Sequence, residues 1–257
     1  MPPTFEDQED VFFVDCGITY DSPKTITAAT TANPVVITAA SHGLSNGDIV
    51  KIRNVEGMTE LNYKRFKVAN KTTNTFELQD LDGVNVNGTA YTAYLRGEVR
   101  KCVSSVSGLS HLEGKTVKVI VDGAAHPDRI VASGAITLDD EYSQVTVGLG
   151  YTARIETNDL EGGSQGGTSQ GKTKRVSKVT VRFYKTLGAK VGTESRQDTI
   201  PFRTANMLTD KAPDLFTGDK EVPFPSGWAK SKKILIIQDQ PLPLQVLAII
   251  PVLEVNG

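Results

Sequence analysis

The sequence predicts an all-β protein, a β-sandwich-like body carrying a small inserted β-barrel. Three observations predict it. No long segment places apolar residues at i, i+3, i+4 and i+7 with helix formers between them. Short Val/Ile/Thr/Tyr/Phe runs alternate with polar residues, the two-residue period of a half-buried strand. Asn46-Gly47, Asp82-Gly83, Asn87-Gly88 and Asp122-Gly123 punctuate these runs, and such pairs suit hairpin turns because Asn, Asp and Gly tolerate positive φ.

The elements follow in chain order. Residues 26–100 read as a compact unit, with strands expected at Val35–Thr38, Asp48–Val55, Tyr63–Ala69, Thr75–Gln79 and Ala90–Val99. Five short strands with tight connections suit a small barrel. In Asp48–Val55 the pattern is mixed: Ile49, Lys51 and Arg53 alternate with Val50, Ile52 and Asn54, so the buried face is only partly specified. From Gly108 a second all-β pattern begins, with Val117, Val119 and Val121 alternating up to the Asp122-Gly123 turn. Ile136–Leu138, Gln144–Leu149 and Tyr151–Thr157 follow, then a Gly/Ser/Gln-rich loop from Glu161 to Gly171 and a strand at Lys172–Lys185. The tail is rich in Pro and aromatics and closes with strands near Lys233–Gln238 and Leu244–Leu253. Pro241 and Pro243 flank the last of these and place it at a sheet edge. Residues 1–25 and 101–257 are thus expected to form a discontinuous body around the 26–100 insert.

Composition narrows the function classes. With 257 residues the chain can bury a sizeable core in one large or two small domains. No apolar run approaches the roughly 18–20 residues of a membrane span, so no integral membrane association is expected. The net charge of −2 gives no global bias toward nucleic acid or anionic lipid. Cys16 and Cys102 are too few for a disulfide scaffold or a zinc site. The acidic N-terminus lacks a basic leader, so neither a secretory nor a mitochondrial signal is expected.

The motifs that carry chemistry are sparse. Gly166 to Thr173 fits G-x-x-x-x-G-K-[ST], but a phosphate-binding loop needs a strand before it and a helix after it. Here acidic residues precede it and an alternating Val/Thr segment follows, so a fortuitous glycine-rich loop is expected. His126-Pro127-Asp128 reads as a turn after a hairpin, His42 as a turn residue and His111 as a core or turn residue. Asp139-Asp140-Glu141 reads as a solvated turn, without the spacing of a calcium loop. No nucleophile elbow or carboxylate pair can be assembled, so no catalytic residue, metal or cofactor is expected.

Charge distribution is more informative. Between Gly162 and Thr193 there is no Asp or Glu, whereas Lys172, Lys174, Arg175, Lys178, Arg182, Lys185 and Lys190 are all present. On a regular strand Lys174, Lys178 and Arg182 share one face. Such a stripe would either face DNA phosphates without reading sequence or be a solvated strand face that discourages edge pairing. The acidic run Glu6, Asp7, Glu9 and Asp10 is either a partner for it on a neighbouring copy or a free arm.

Two resemblances follow from longer blocks. Asn33-Pro34-Val35-Val36-Ile37-Thr38, His42 to Val50, Val55 to Asn62 and Asn74 to Leu78 resemble the first-catalytic-cysteine-half domain of ubiquitin-activating enzymes. That resemblance implies a barrel module rather than ubiquitin activation, which would need a nucleotide-binding domain. Phe12 to Asp21, Gly108 to Val117, Val121 to Ala124, Thr168 to Arg175, Pro213 to Asp219 and Gln238 to Leu244 resemble the C-terminal part of the tail nozzle (tail tubular or stabilisation) proteins of short-tailed bacteriophages. Members of that family are usually far longer, with a large N-terminal region.

The second resemblance implies a non-enzymatic structural component of a phage or prophage tail, assembled in the bacterial cytoplasm and residing in the virion tail. It implies a homo-oligomeric ring, hexameric for example, packed on portal-adaptor or other tail proteins and helping to form the DNA ejection conduit. The basic stripe would make transient, sequence-independent DNA contact. Changing Lys174, Lys178 and Arg182 to Glu is then expected to leave folding intact and impair DNA retention or ejection. The alternative is a tail-associated binding module, in which the barrel or Tyr91, Tyr94 and Trp228 recognise host-surface glycan or another tail protein.

Overall fold

The structure, a computed structural model, describes residues 13–162, 168–204, 207 and 212–256. The acidic residues Glu6, Asp7, Glu9 and Asp10, Phe12, and Gly166 and Gly167 of the glycine-rich loop lie outside the described residues. The described residues form an all-β fold, in which helical structure is confined to 3-10 turns at Thr59–Leu61 and Ser110–Leu112. The chain divides into two compact units, Cys16–Leu149 with Leu208–Ala212, and Met1–Asp15 with Gly150–Met207 and Pro213–Gly257.

The first unit carries β1 (Asp15–Asp21), β2 (Pro23–Ile26), β3 (Ala28–Ala29), β4 (Val36–Thr38), β5 (Ile49–Glu56), β6 (Arg65–Ala69) and β7 (Thr75–Gln79). It continues with β8 (Arg96–Lys101), β9 (Val103–Ser107), β10 (Thr116–Val121), β11 (Ala124–Ile130), β12 (Ala135–Tyr142) and β13 (Gln144–Leu149). Seven strands in the order β2-β8-β5-β6-β7-β4-β3 make the small barrel. Its two end strands are one continuous segment that turns at Thr27, pairing Ile26 with Gly97 on one side and Ala28 with Thr38 on the other, so the sheet closes on itself. The Tyr94 hydroxyl donates to the Ile26 carbonyl at 2.7 Å and fastens that corner. Val35, Ile37, Val50, Ile52, Met58, Leu61, Phe76, Leu78 and Val99 fill the interior, each contributing about 1.5–3 kcal/mol by leaving water.

The strand expected at Ala90–Val99 begins only at Arg96. Residues 90–95 instead lie across the barrel, where Tyr91 and Tyr94 pack on its core. That crossing brings the Ala93 carbonyl so close to Gly57 that a Cβ there would stand 2.0 Å from the oxygen, which with a φ of +84° makes glycine obligatory.

The rest of this unit is a lobe of two sheets, β1-β13-β10-β11 and β12-β9. Val106, Leu109, Val117, Val119, Val131, Ile136, Val145 and Val147 meet between them as in a sandwich. Asp122 and Gly123 both take positive φ (46° and 79°) between Val121 and Ala124, the two-residue hairpin expected of an Asp-Gly pair. Two turn expectations are corrected. His126-Pro127-Asp128 lies inside β11, with His126 opposite Val119 and buried, and Asp139-Asp140-Glu141 lies inside β12. Residues 124–130 are paired through β10, and that pairing overrides the local turn propensity of His-Pro-Asp.

The second unit carries β14 (Ala153–Glu156), β15 (Thr173–Thr186), β16 (Lys190–Gly192), β17 (Gln197–Thr199), β18 (Phe216–Pro223), β19 (Leu235–Gln238) and β20 (Val246–Asn256). They form the sheets β14-β19-β16-β17 and β18-β15-β20. Val176, Val179, Val181 and Phe183 from one sheet meet Val191 and Ile236 from the other and Ile234 just before β19, with Phe202 edge-on to Phe183 at 5.4 Å. β20, flanked by Pro241 and Pro243, is an edge strand as the prolines led one to expect.

Candidate functional site

The basic segment lies on β15, the central strand of its sheet, but it is not one stripe. The pairing of β15 with β20 slips between Val176 and Lys178, so Ser177 is an extra residue. A bulge of this kind reverses which parity faces the core. Lys174 therefore points inward beside Val176 and is 2% exposed, whereas Lys178 and Arg182 point outward. The Lys174 ammonium donates to the Leu160 carbonyl at 2.7 Å, and its backbone bridges Ala229 in both directions. Sequence alternation alone misplaces Lys174 because one extra residue is invisible to it.

The outward cations are matched. Arg182 donates through Nε and Nη2 to both oxygens of Asp219, at 2.8 and 2.9 Å, and Asp219 stands directly opposite it on β18. The Lys178 ammonium meets Glu221 at 3.0 Å. The Arg182 guanidinium holds the Asp219 carboxyl below its ordinary value. Arg175 is exposed and stands opposite Glu254 on β20. Lys172 precedes the strand and Lys185 is its penultimate residue, with its ammonium 6.0 Å from the Tyr184 ring centroid. The residues of the basic segment are thus distributed over a core position, a charge ladder with β18 and two strand ends.

A second polar constellation, which sequence reasoning missed, joins the barrel to the lobe. Lys51 and Arg53 of β5 and Arg100 of β8 are all buried, though they face away from the barrel core. The Lys51 ammonium donates to Asp122 Oδ2 at 3.1 Å. Asp122 Oδ1 accepts from the Ser143 N–H, the Ser143 hydroxyl and the Gln144 N–H at 3.1, 2.7 and 2.9 Å. The Gln144 side-chain oxygen accepts from Arg53 and Arg100 at 3.3 and 3.1 Å, and Arg100 also meets Asp21 and Glu98, each at 2.9 Å. Farther out, Arg65 meets Asp140 at 2.7 Å. The mixed alternation of β5 has its explanation here: the barrel's outer face is covered by the lobe, and cations there are admitted because each finds acceptors.

The remaining sequence candidates are structural. The G-x-x-x-x-G-K-[ST] motif runs from Gly171 into β15, so no helix N-terminus follows it to receive a phosphate. His42 is buried edge-on to Phe76 and accepts the Leu44 N–H through Nδ1 at 3.0 Å. His126 Nε2 lies 3.3 Å from Asp139, which also pairs with Arg129. His111 sits in a 3-10 turn with Nε2 2.8 Å from the Cys16 carbonyl. Among the described residues no three His, Cys, Asp or Glu side chains cluster as a metal site would require. No helix there is long and apolar enough to cross a membrane.

Cys16 is exposed, while Cys102 is buried and its thiol is pushed up to about 12, chiefly by burial. The thiolate is the reactive form. Iodoacetamide near pH ~8 should therefore modify Cys16 and spare Cys102 in the folded chain, and modify both in guanidinium. Intact mass reads the count; two modifications in native buffer would contradict this burial.

Residues 32–101 match the family model of the ubiquitin-activating enzyme E1 FCCH domain, a span that covers the barrel from the turn before β4 to the end of β8. No curated protein matches the chain. The barrel is thus the FCCH-like part of this all-β chain.

Proposed function

We propose that the chain is a non-enzymatic structural component of a bacteriophage or prophage tail, of nozzle or tail-tube type, that assembles with copies of itself and with portal-adaptor or other tail proteins. The observation that carries this reading is β20. It is eleven residues long, pairs on one side only among the described residues, and contains no Lys or Arg and a single acid, Glu254. Leu247 is 63% and Ile250 46% exposed along it, and Val252 and Val255 are exposed as well. Soluble proteins guard such edges with charge, as β18 does with Asp219, Lys220 and Glu221 on the opposite side of the sheet. An unguarded apolar edge of this length suits pairing with another chain, and Pro251 limits the donors it offers to two short stretches. The blocks that resemble nozzle proteins span both units and supply the choice of assembly.

In this role the FCCH-like barrel is a module docked on the lobe, and the residues around β15 border the DNA path. The matched charges on Lys178 and Arg182 suit such a conduit, where tight phosphate binding would stall passage. Light scattering coupled to size exclusion should find the purified chain multimeric, and Ile250→Lys should yield monomers that keep the all-β circular dichroism spectrum but melt lower, as the loss of association requires. A chain that stays monomeric at high concentration removes the support from β20. Gold-labelled antibody against the chain should mark the tails of intact particles from the source phage or induced prophage; particles with a detectable nozzle and no label would overturn the tail assignment.

A further inference from the structure

Four segments of the second unit converge on a cavity of about 380 Å³: the end of β14 at Glu156, the β16–β17 turn at Thr193–Ser195, the segment Pro225–Gly227 after β18, and Ser231–Leu235 entering β19. Its size falls in the range of about 300–1,000 Å³ usual for small-molecule clefts. The ionised groups lining it are two carboxylates, Glu156 and Glu194, and two ammonium groups, Lys232 and Lys233, so they balance. Thr193, Ser195, Ser226 and Ser231 line it as well. A dianion would meet two carboxylates here, and a cation two lysines. A neutral ligand that both donates and accepts hydrogen bonds meets neither obstacle.

The lining is held in place before any ligand arrives. Arg154 forks between the two carboxylates, reaching Glu156 at 2.7 Å and Glu194 Oε1 at 3.0 Å. Lys233 meets Glu156 at 3.0 Å. Gln197 donates to the Thr193 and Glu194 carbonyls at 2.6 and 2.9 Å, which fixes the turn. The Ser231 hydroxyl and the Lys232 N–H both donate to Asp159 Oδ1, at 2.6 and 2.8 Å. Pro225 and Leu235 give the cleft an apolar wall. Trp228, next in the chain after Gly227, is 48% exposed and carries the chain's single indole. Fixed carboxylate acceptors, ammonium donors and an apolar wall match a pyranose, whose hydroxyls bond at its edge and whose C–H face is apolar.

We propose that this cleft binds a neutral saccharide of one or two rings, with Glu194 and Glu156 accepting from its hydroxyls. The proposal does not rest on self-association or on a virion, because purified chain suffices to test it. A glycan array probed with labelled chain, followed by calorimetry on the best disaccharide, should give saturable binding with a dissociation constant of about 0.1–10 mM, or about −3 to −5 kcal/mol. Glu194→Gln should weaken it about tenfold or more with little change in melting temperature, because its ion pair with Arg154 is exposed. Glu60→Gln in the barrel serves as the control and should change nothing. An array without a saturable neutral glycan, or binding that Glu194→Gln leaves intact, overturns the proposal.

Discussion

Lys174→Glu is expected to destabilise the second unit by about 3–5 kcal/mol, the range measured when a buried charge loses its compensation. Lys174 is buried on the core side of β15 and its ammonium rests on the Leu160 carbonyl. The Asp159 and Glu161 carboxyls nearby are held below their ordinary values chiefly by hydrogen bonds from Ser231 and Thr168, and the Lys174 charge adds a smaller share. A glutamate would set a carboxylate against that carbonyl and beside two carboxylates. Lys174→Met keeps the stem but strips the donor, so its cost should be about 1–3 kcal/mol. Trp228 precedes Ala229, the bridge partner of Lys174, so its fluorescence in a urea titration is a local readout. Equal midpoints for Lys174→Glu and wild type would show that Lys174 is not held as described. The expectation that Lys174, Lys178 and Arg182 share one face is corrected by the burial of Lys174, so a charge-reversal test of DNA contact belongs on Lys178 and Arg182, which face outward.

Asp122→Ala should lower the stability of the first unit by about 3–5 kcal/mol, because one carboxylate does two jobs. It accepts three donors from Ser143 and Gln144 and faces the buried Lys51 ammonium of the barrel. Alanine also fits poorly at a φ of 46°, a conformation Asp and Asn tolerate better. Asp122→Asn keeps an acceptor and the backbone preference while losing the charge, and should cost about 1–2 kcal/mol. Urea unfolding by circular dichroism gives the totals, and faster exchange of the Ser143 and Gln144 amides would place the loss at the joint. An Asp122→Ala chain within about 0.5 kcal/mol of wild type would mean that the joint is incidental.

What was legible beforehand depended on distance along the chain. The strand Thr75–Gln79, the strand Gln144–Leu149 and the Asp122-Gly123 hairpin were readable because period-two alternation and positive-φ residues act over a few neighbours. Val103–Ser107 and Phe216–Pro223 were not read as strands; the first has a single buried apolar residue, and the second alternates between partly buried and exposed positions. The saccharide cleft had no sequence signal, since its lining comes from four separated segments and uses common polar residues.

Local sequence by itself determined that this chain is all-β, that Asp122-Gly123 closes a hairpin, that a barrel module occupies its first part, and that β20 lies at an edge. Those properties follow from backbone sterics and from side chains alternating between two faces. Only the tertiary structure decided that Lys51, Arg53 and Arg100 are a buried joint rather than a solvated face, that one bulged residue turns Lys174 into the core, and that Arg182 and Lys178 answer Asp219 and Glu221. A charged side chain's role is set by which distant acceptors reach it and how much water they exclude, and neither is encoded in its neighbours along the chain.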